Sequence, residues 1–64
     1  MVYNISATLK DGTYVFSGTC GFVPHKGEEI KVGWNVFRVE TVRYLLQEGT
    51  TYTNNVHLIL EQVN

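Results

Sequence analysis

Asp11-Gly12 stands between two segments, 3–10 and 13–20, that alternate apolar and polar residues. An Asp-Gly pair in that setting signals a two-residue type I′ hairpin, because the turn needs positive φ at both central positions. Closing the turn there pairs Lys10 with Thr13 and fixes the register of everything behind it. Leu9 then faces Tyr14, Ala7 faces Phe16, Ile5 faces Gly18 and Tyr3 faces Cys20. Thr8 with Val15, Ser6 with Ser17 and Asn4 with Thr19 fall on the other side. The first face is apolar and the second mostly polar, as a half-buried hairpin requires. Turn chemistry and hydrophobic pattern reach this register independently.

The rest of the chain reads as further strand. Segment 20–27 is a connection, since Pro24 cannot donate to a ladder and Gly21 and Gly27 suit bends. A second hairpin follows, about Glu28–Val32 and Val36–Gln47, turning at Gly33-Trp34 or at Trp34-Asn35. Ile30 and Val32 share a face with Phe37 and Val39, and Lys31 and Arg38 face outward. The apolar set of the fourth strand starts on odd positions (Phe37, Val39) and continues on even ones (Val42, Tyr44, Leu46). A period of two changes phase only where a residue is inserted, which predicts a β-bulge near Glu40-Thr41. The last strand, about Asn55–Val63, places Val56, Leu58 and Leu60 inward and His57, Ile59 and Glu61 outward. Thr50–Thr53 either extends that strand or forms a loop. No segment sustains a helical period. The expected fold is all-β: a single domain, 1–64, forming a small, partly open five-stranded barrel in an antiparallel meander. The SH3-like size fits this length better than an OB fold, which normally needs a longer chain and a helix.

Sixty-four residues bury only about 60% of the surface that the unfolded chain exposes. Domains of this size usually add a disulfide, a metal or self-association. Cys20 is the single cysteine, so no disulfide forms within one chain. Cys20, His25 and His57 are the only soft ligands, short of the four that structural zinc normally takes, so neither metal nor cofactor is expected. Self-association is the device that remains. Five basic against six acidic residues give a formal net charge of −1, with no pull toward nucleic acid or anionic lipid. The first residues lack the pattern of a signal peptide, and no apolar run approaches a membrane span, so a cytoplasmic location is expected.

Several residue groups have a chemical reading beside a plainer one. Cys20 with His25 has the types of a thiol nucleophile and its base, with Asp11 as orienter. The plainer reading is a small thiol on the apolar face opposite Tyr3, and the chain is not expected to be an enzyme. Phe22-Val23-Pro24-His25-Lys26-Gly27 mixes aromatic, imidazole and ammonium groups that can grip an anion, or it is a connection with Phe22 or Val23 tucked over the barrel end. Trp34 at a hairpin tip either folds back over the core or stands out as an interface anchor. Val36 and Ile59, apolar and outward, fit an edge that pairs with another copy. Arg38, Arg43 and Tyr52 form a possible stacking-and-phosphate surface for a single strand, diluted by Glu40, Glu48 and Glu61.

From Phe22 to Val63 the chain carries Pro24-x-x-Gly27-Glu28-x-Ile30, a Gly33 turn, then Phe37-x-Val39-x-x-Val42-x-Tyr44 and a final apolar strand. This resembles short, uncharacterised bacterial and phage proteins with SH3-like barrels. The resemblance implies a fold and an origin in a mobile element, and carries no functional residue over. The functional expectation is a non-catalytic protein–protein interaction module that forms homo-oligomers, with Trp34, Phe22, His25, Lys26, Val36 and Ile59 as its surface. The alternative is a small barrel that binds nucleic acid or a nucleotide through Arg38, Arg43 and Tyr52.

Overall fold

The alternating segments become five strands in a computed structural model that describes residues 2–46 and 54–64. They are β1 (Tyr3–Leu9), β2 (Tyr14–Cys20), β3 (Glu29–Val32), β4 (Asn35–Leu45) and β5 (Asn55–Gln62). They form one sheet in the order β2-β1-β5-β4-β3, curled into a half-barrel. Among the described residues no helix is long and apolar enough to cross a membrane.

β5 occupies the centre because it carries the most regular apolar alternation. Its Val56, Leu58 and Leu60 are each at most 1% exposed, and they join Ile5, Ala7, Phe37 and Val39 as the core. Fully burying a side chain of this kind contributes roughly 1.5–3 kcal/mol, so these few residues hold most of the stability. β4 lies antiparallel to β5, with Val39 opposite Leu60, Val42 opposite Leu58 and Tyr44 opposite Val56. β1 takes the other side of β5 and runs parallel to it, with Ile5 opposite Val56 and Ala7 opposite Leu58. This pair departs from the expected antiparallel meander. The two hairpins, β1–β2 and β3–β4, each leave one strand with a free side, and β5 fills the gap between them.

The expected bulge in β4 is present. Val39 pairs with Leu60 and Thr41 with Ile59, so Glu40 is the extra residue that moves the apolar set from odd to even positions. The β1–β2 register holds from Tyr3–Cys20 to Ala7–Phe16 and then shifts, with Thr8 opposite Tyr14. Two compensating changes cause this. Gly12 N–H donates to Leu9 O (2.9 Å) and Leu9 N–H to Thr13 O (2.8 Å), which closes a three-residue loop rather than a two-residue one. Gly12 alone has positive φ (94°), and Asp11 does not, so the geometry is a type I turn with a glycine bulge. Val15 is then the unpaired residue that restores the register. The bulge brings Val15 onto the core beside Phe16 and turns Tyr14 outward, where its hydroxyl lies 2.9 Å from Ser17 Oγ. The positions expected for Tyr14 and Val15 are thus exchanged.

At the second hairpin Val32 pairs with Asn35, so Gly33-Trp34 forms the turn. Positive φ at Gly33 alone (61°) suits a type II′ turn, which places no steric demand on Trp34. β2 and β3 do not pair with each other. A depression of about 240 Å³, lined among others by Leu9, Val15, Val32 and Phe37, lies between the two hairpins. Among the described residues the barrel is therefore open, with β2 and β3 as its edges.

Candidate interaction surface

The Gly33 turn directs Trp34 into solvent, and the side chain is 90% exposed. It does not fold back over the core. Its backbone, by contrast, is held from several sides. Val36 N–H donates to Asn64 Oδ1 (2.7 Å), Val63 N–H donates to Val36 O (2.9 Å), and Gln62 Nε2 donates to Asn35 Oδ1 (3.2 Å). Asn64 Nδ2 also reaches Trp34 O at 3.5 Å. The result is an exposed indole on a tied-down turn, with Lys31 Nζ over the ring at 5.8 Å from its centre. A large, rigid side chain on fixed backbone loses little entropy on docking. The sequence located Trp34; it gave no signal for the Gln62–Asn64 clamp, whose partners lie across the sheet.

The 22–27 loop divides its residues between core and solvent. Val23 packs on the core and Pro24 is buried, while Phe22 is 65% exposed and His25 and Lys26 point to water. His25 N–H donates to Glu28 Oε1 (2.6 Å), and Glu28 N–H donates back to His25 O (3.1 Å). The carboxylate that sits there takes the backbone donor an anion would need. It also lies 3.9 Å from His25 Nδ1, an ion pair only when the imidazole is protonated. The loop is therefore a fixed turn presenting Phe22 and Lys26 rather than an anion cradle.

Val36 and Ile59 do not lie on a free edge. Ile59 is half-buried in the central strand, between Thr8 of β1 and Thr41 of β4. Val36 is half-buried between Lys31 of β3 and the backbone of Val63. Sequence parity gives the face of a residue but not its strand's place in the sheet, and so the edge assignment failed. The edges are β2 and β3, and sequence reading singled out neither.

Arg38 stands between two carboxylates, with Nη1 3.2 Å from Glu61 Oε1 and Nη2 3.6 Å from Glu29 Oε2. The trio carries a net negative charge, which opposes a phosphate at that spot. Arg43 lies opposite His57 on the outer face, and Tyr52 lies outside the described residues. His57 Nε2 is 3.0 Å from Thr8 Oγ1 across the β1–β5 seam. Cys20 is half-buried against the core at the end of β2. Among the described residues no group of three or more His, Cys, Asp or Glu is placed to hold a metal ion. No protein-family model, curated protein or solved structure matches the chain.

Proposed function

We propose that the chain is a non-catalytic protein–protein interaction module that also associates with itself. The observation that carries this reading is Trp34, 90% exposed on a turn whose neighbours are hydrogen-bonded to Gln62 and Asn64. Tryptophan is among the residues most enriched at the energetic centres of protein interfaces. Phe22 and Lys26 supply a second exposed aromatic–cation group on a fixed loop. The resemblance seen in the sequence supports an origin in a bacterium or phage, where a small accessory protein of the cytoplasm is the form this proposal takes.

The nucleic-acid alternative has weaker support. Arg38 is engaged by Glu29 and Glu61, and the whole chain has a formal net charge of −1. The test is native mass spectrometry of untagged protein purified gently from its own cells, beside the Trp34→Ala variant. The reading expects added mass that is protein, either a second copy or another chain, and expects the other chain to be lost with Trp34. A co-purified nucleotide, oligonucleotide or small molecule overturns it.

A further inference from the structure

The feature left over by this surface is the edge of β2, which no other strand among the described residues covers, and we infer that it pairs with β2 of a second copy about an axis at Gly18. The inference rests on the self-association part of the proposed function and names its geometry. Two hydrogen bonds fix which backbone groups face the edge. Asn4 N–H donates to Asn54 O (2.8 Å), so Asn4 directs its backbone toward β5. Leu9 N–H donates to Thr13 O (2.8 Å), so the odd residues of β1 direct theirs toward β2. Directions alternate along a strand, and directly opposite residues in an antiparallel pair alternate between bonded and non-bonded. Gly18, opposite Ile5, is therefore bonded to β1. Ser17 and Thr19, opposite Ser6 and Asn4, turn their N–H and C=O groups to the open side.

Those two outward residues flank Gly18 symmetrically, which makes the edge complementary to itself. Placing a two-fold axis at Gly18 sets Ser17 opposite Thr19 of the second copy, and the reverse, each pair exchanging both backbone bonds. Gly18 then meets Gly18 of the second copy in a non-bonded pair, where Cα atoms approach to about 4.5 Å. Phe16 meets Cys20 of the second copy on the core face, which joins the two apolar faces into one. The bulge at Val15 confines the pairing to Phe16–Cys20, and its register leaves that segment regular. The seven residues of β2 hold no charge and no proline, two of the devices by which edges are normally blunted. The other edge, β3, is shorter at four residues and carries Glu29 and Lys31 outward. A strand from another protein can satisfy the same backbone groups, but it gains nothing from the Ser17-Gly18-Thr19 symmetry.

Site-directed cross-linking in a Cys20→Ser background tests the register. Gly18 has ordinary φ and open space around an added Cβ, so Gly18→Cys keeps the fold. Mild oxidation is expected to give roughly tenfold more intermolecular disulfide in Gly18→Cys than in Ser17→Cys or Thr19→Cys, whose counterparts lie beyond disulfide reach. Thr19→Pro removes an N–H that β1 does not use. It is expected to weaken dimerisation roughly tenfold, by sedimentation, with an unchanged circular dichroism spectrum. Equal cross-linking at the three sites, or a dimer indifferent to Thr19→Pro, overturns this register while the self-association reading stands. A Gly18→Cys protein cross-linked to a different chain overturns the second copy as the occupant. A wild-type protein that stays monomeric overturns both the register and self-association.

Discussion

Lys31 Nζ lies 5.8 Å from the centre of the Trp34 ring, across the turn that joins β3 to β4. The contact is exposed and weak, so the indole contributes little to folding. Trp34→Ala is expected to change unfolding free energy by less than about 1 kcal/mol in urea titrations. The fluorescence of Trp34 in dilute protein is expected at the long wavelengths of a water-exposed indole, moving to shorter ones when a partner covers it. A loss of several kcal/mol on Trp34→Ala would show that the ring packs on the core after all.

Leu58 is fully buried in the central strand, between Ala7 of β1 and Val42 of β4. Leu58→Ala is expected to cost about 2–5 kcal/mol, which takes most of the stability of so small a domain. Ile59→Ala, next along the strand but half-buried on the outer face, is expected to cost clearly less. Denaturation midpoints of the pair measure the contrast, and equal losses would contradict the assigned faces.

Asp11 anchors its hairpin through Thr13, whose hydroxyl and then whose amide (2.9 Å to Oδ1) hold the carboxyl below its ordinary value. A carboxyl with a lower pKa in the folded state adds stability above its unfolded pKa, about 3.9. That contribution disappears as the pH falls through the folded value. Asp11→Asn keeps an acceptor in place and removes the charge. Wild type is therefore expected to lose more stability than Asp11→Asn between pH 6 and pH 2.5, and parallel pH curves would contradict this role.

Glu40 is the extra residue of the β4 bulge, and removing it leaves Val39, Thr41 and Val42 opposite Leu60, Ile59 and Leu58. A chain lacking Glu40 is expected to fold with the same pairings and a straighter β4. A chain lacking Arg38 displaces Phe37 from the core and is expected to unfold. Circular dichroism of the two deletions distinguishes these outcomes.

The sequence made legible whatever depends on parity and turn chemistry. The apolar phase change in β4 marked Glu40-Thr41, and the Asp11-Gly12 turn marked the hairpin. The turn was one residue longer than expected, and the bulge at Val15 cancelled the shift. Alternating patterns cannot see such a cancellation, because Val15 and Phe16 are both apolar. Strand order was not legible either. Ile59 looks the same on an edge or in the middle, and only the pairing of β5 with both β1 and β4 places it inside. Trp34 was identified as a candidate, but the bonds from Gln62 and Asn64 that hold its turn come from residues about thirty positions away and leave no mark in the local pattern.

The most direct test of the account is sedimentation velocity of the wild-type chain over a wide concentration range, at low and at high salt. The account predicts a monomer that passes to a dimer as concentration rises, with little dependence on salt, because β2 carries no charge. A chain that remains monomeric at every concentration, or one whose association disappears in high salt, would contradict it.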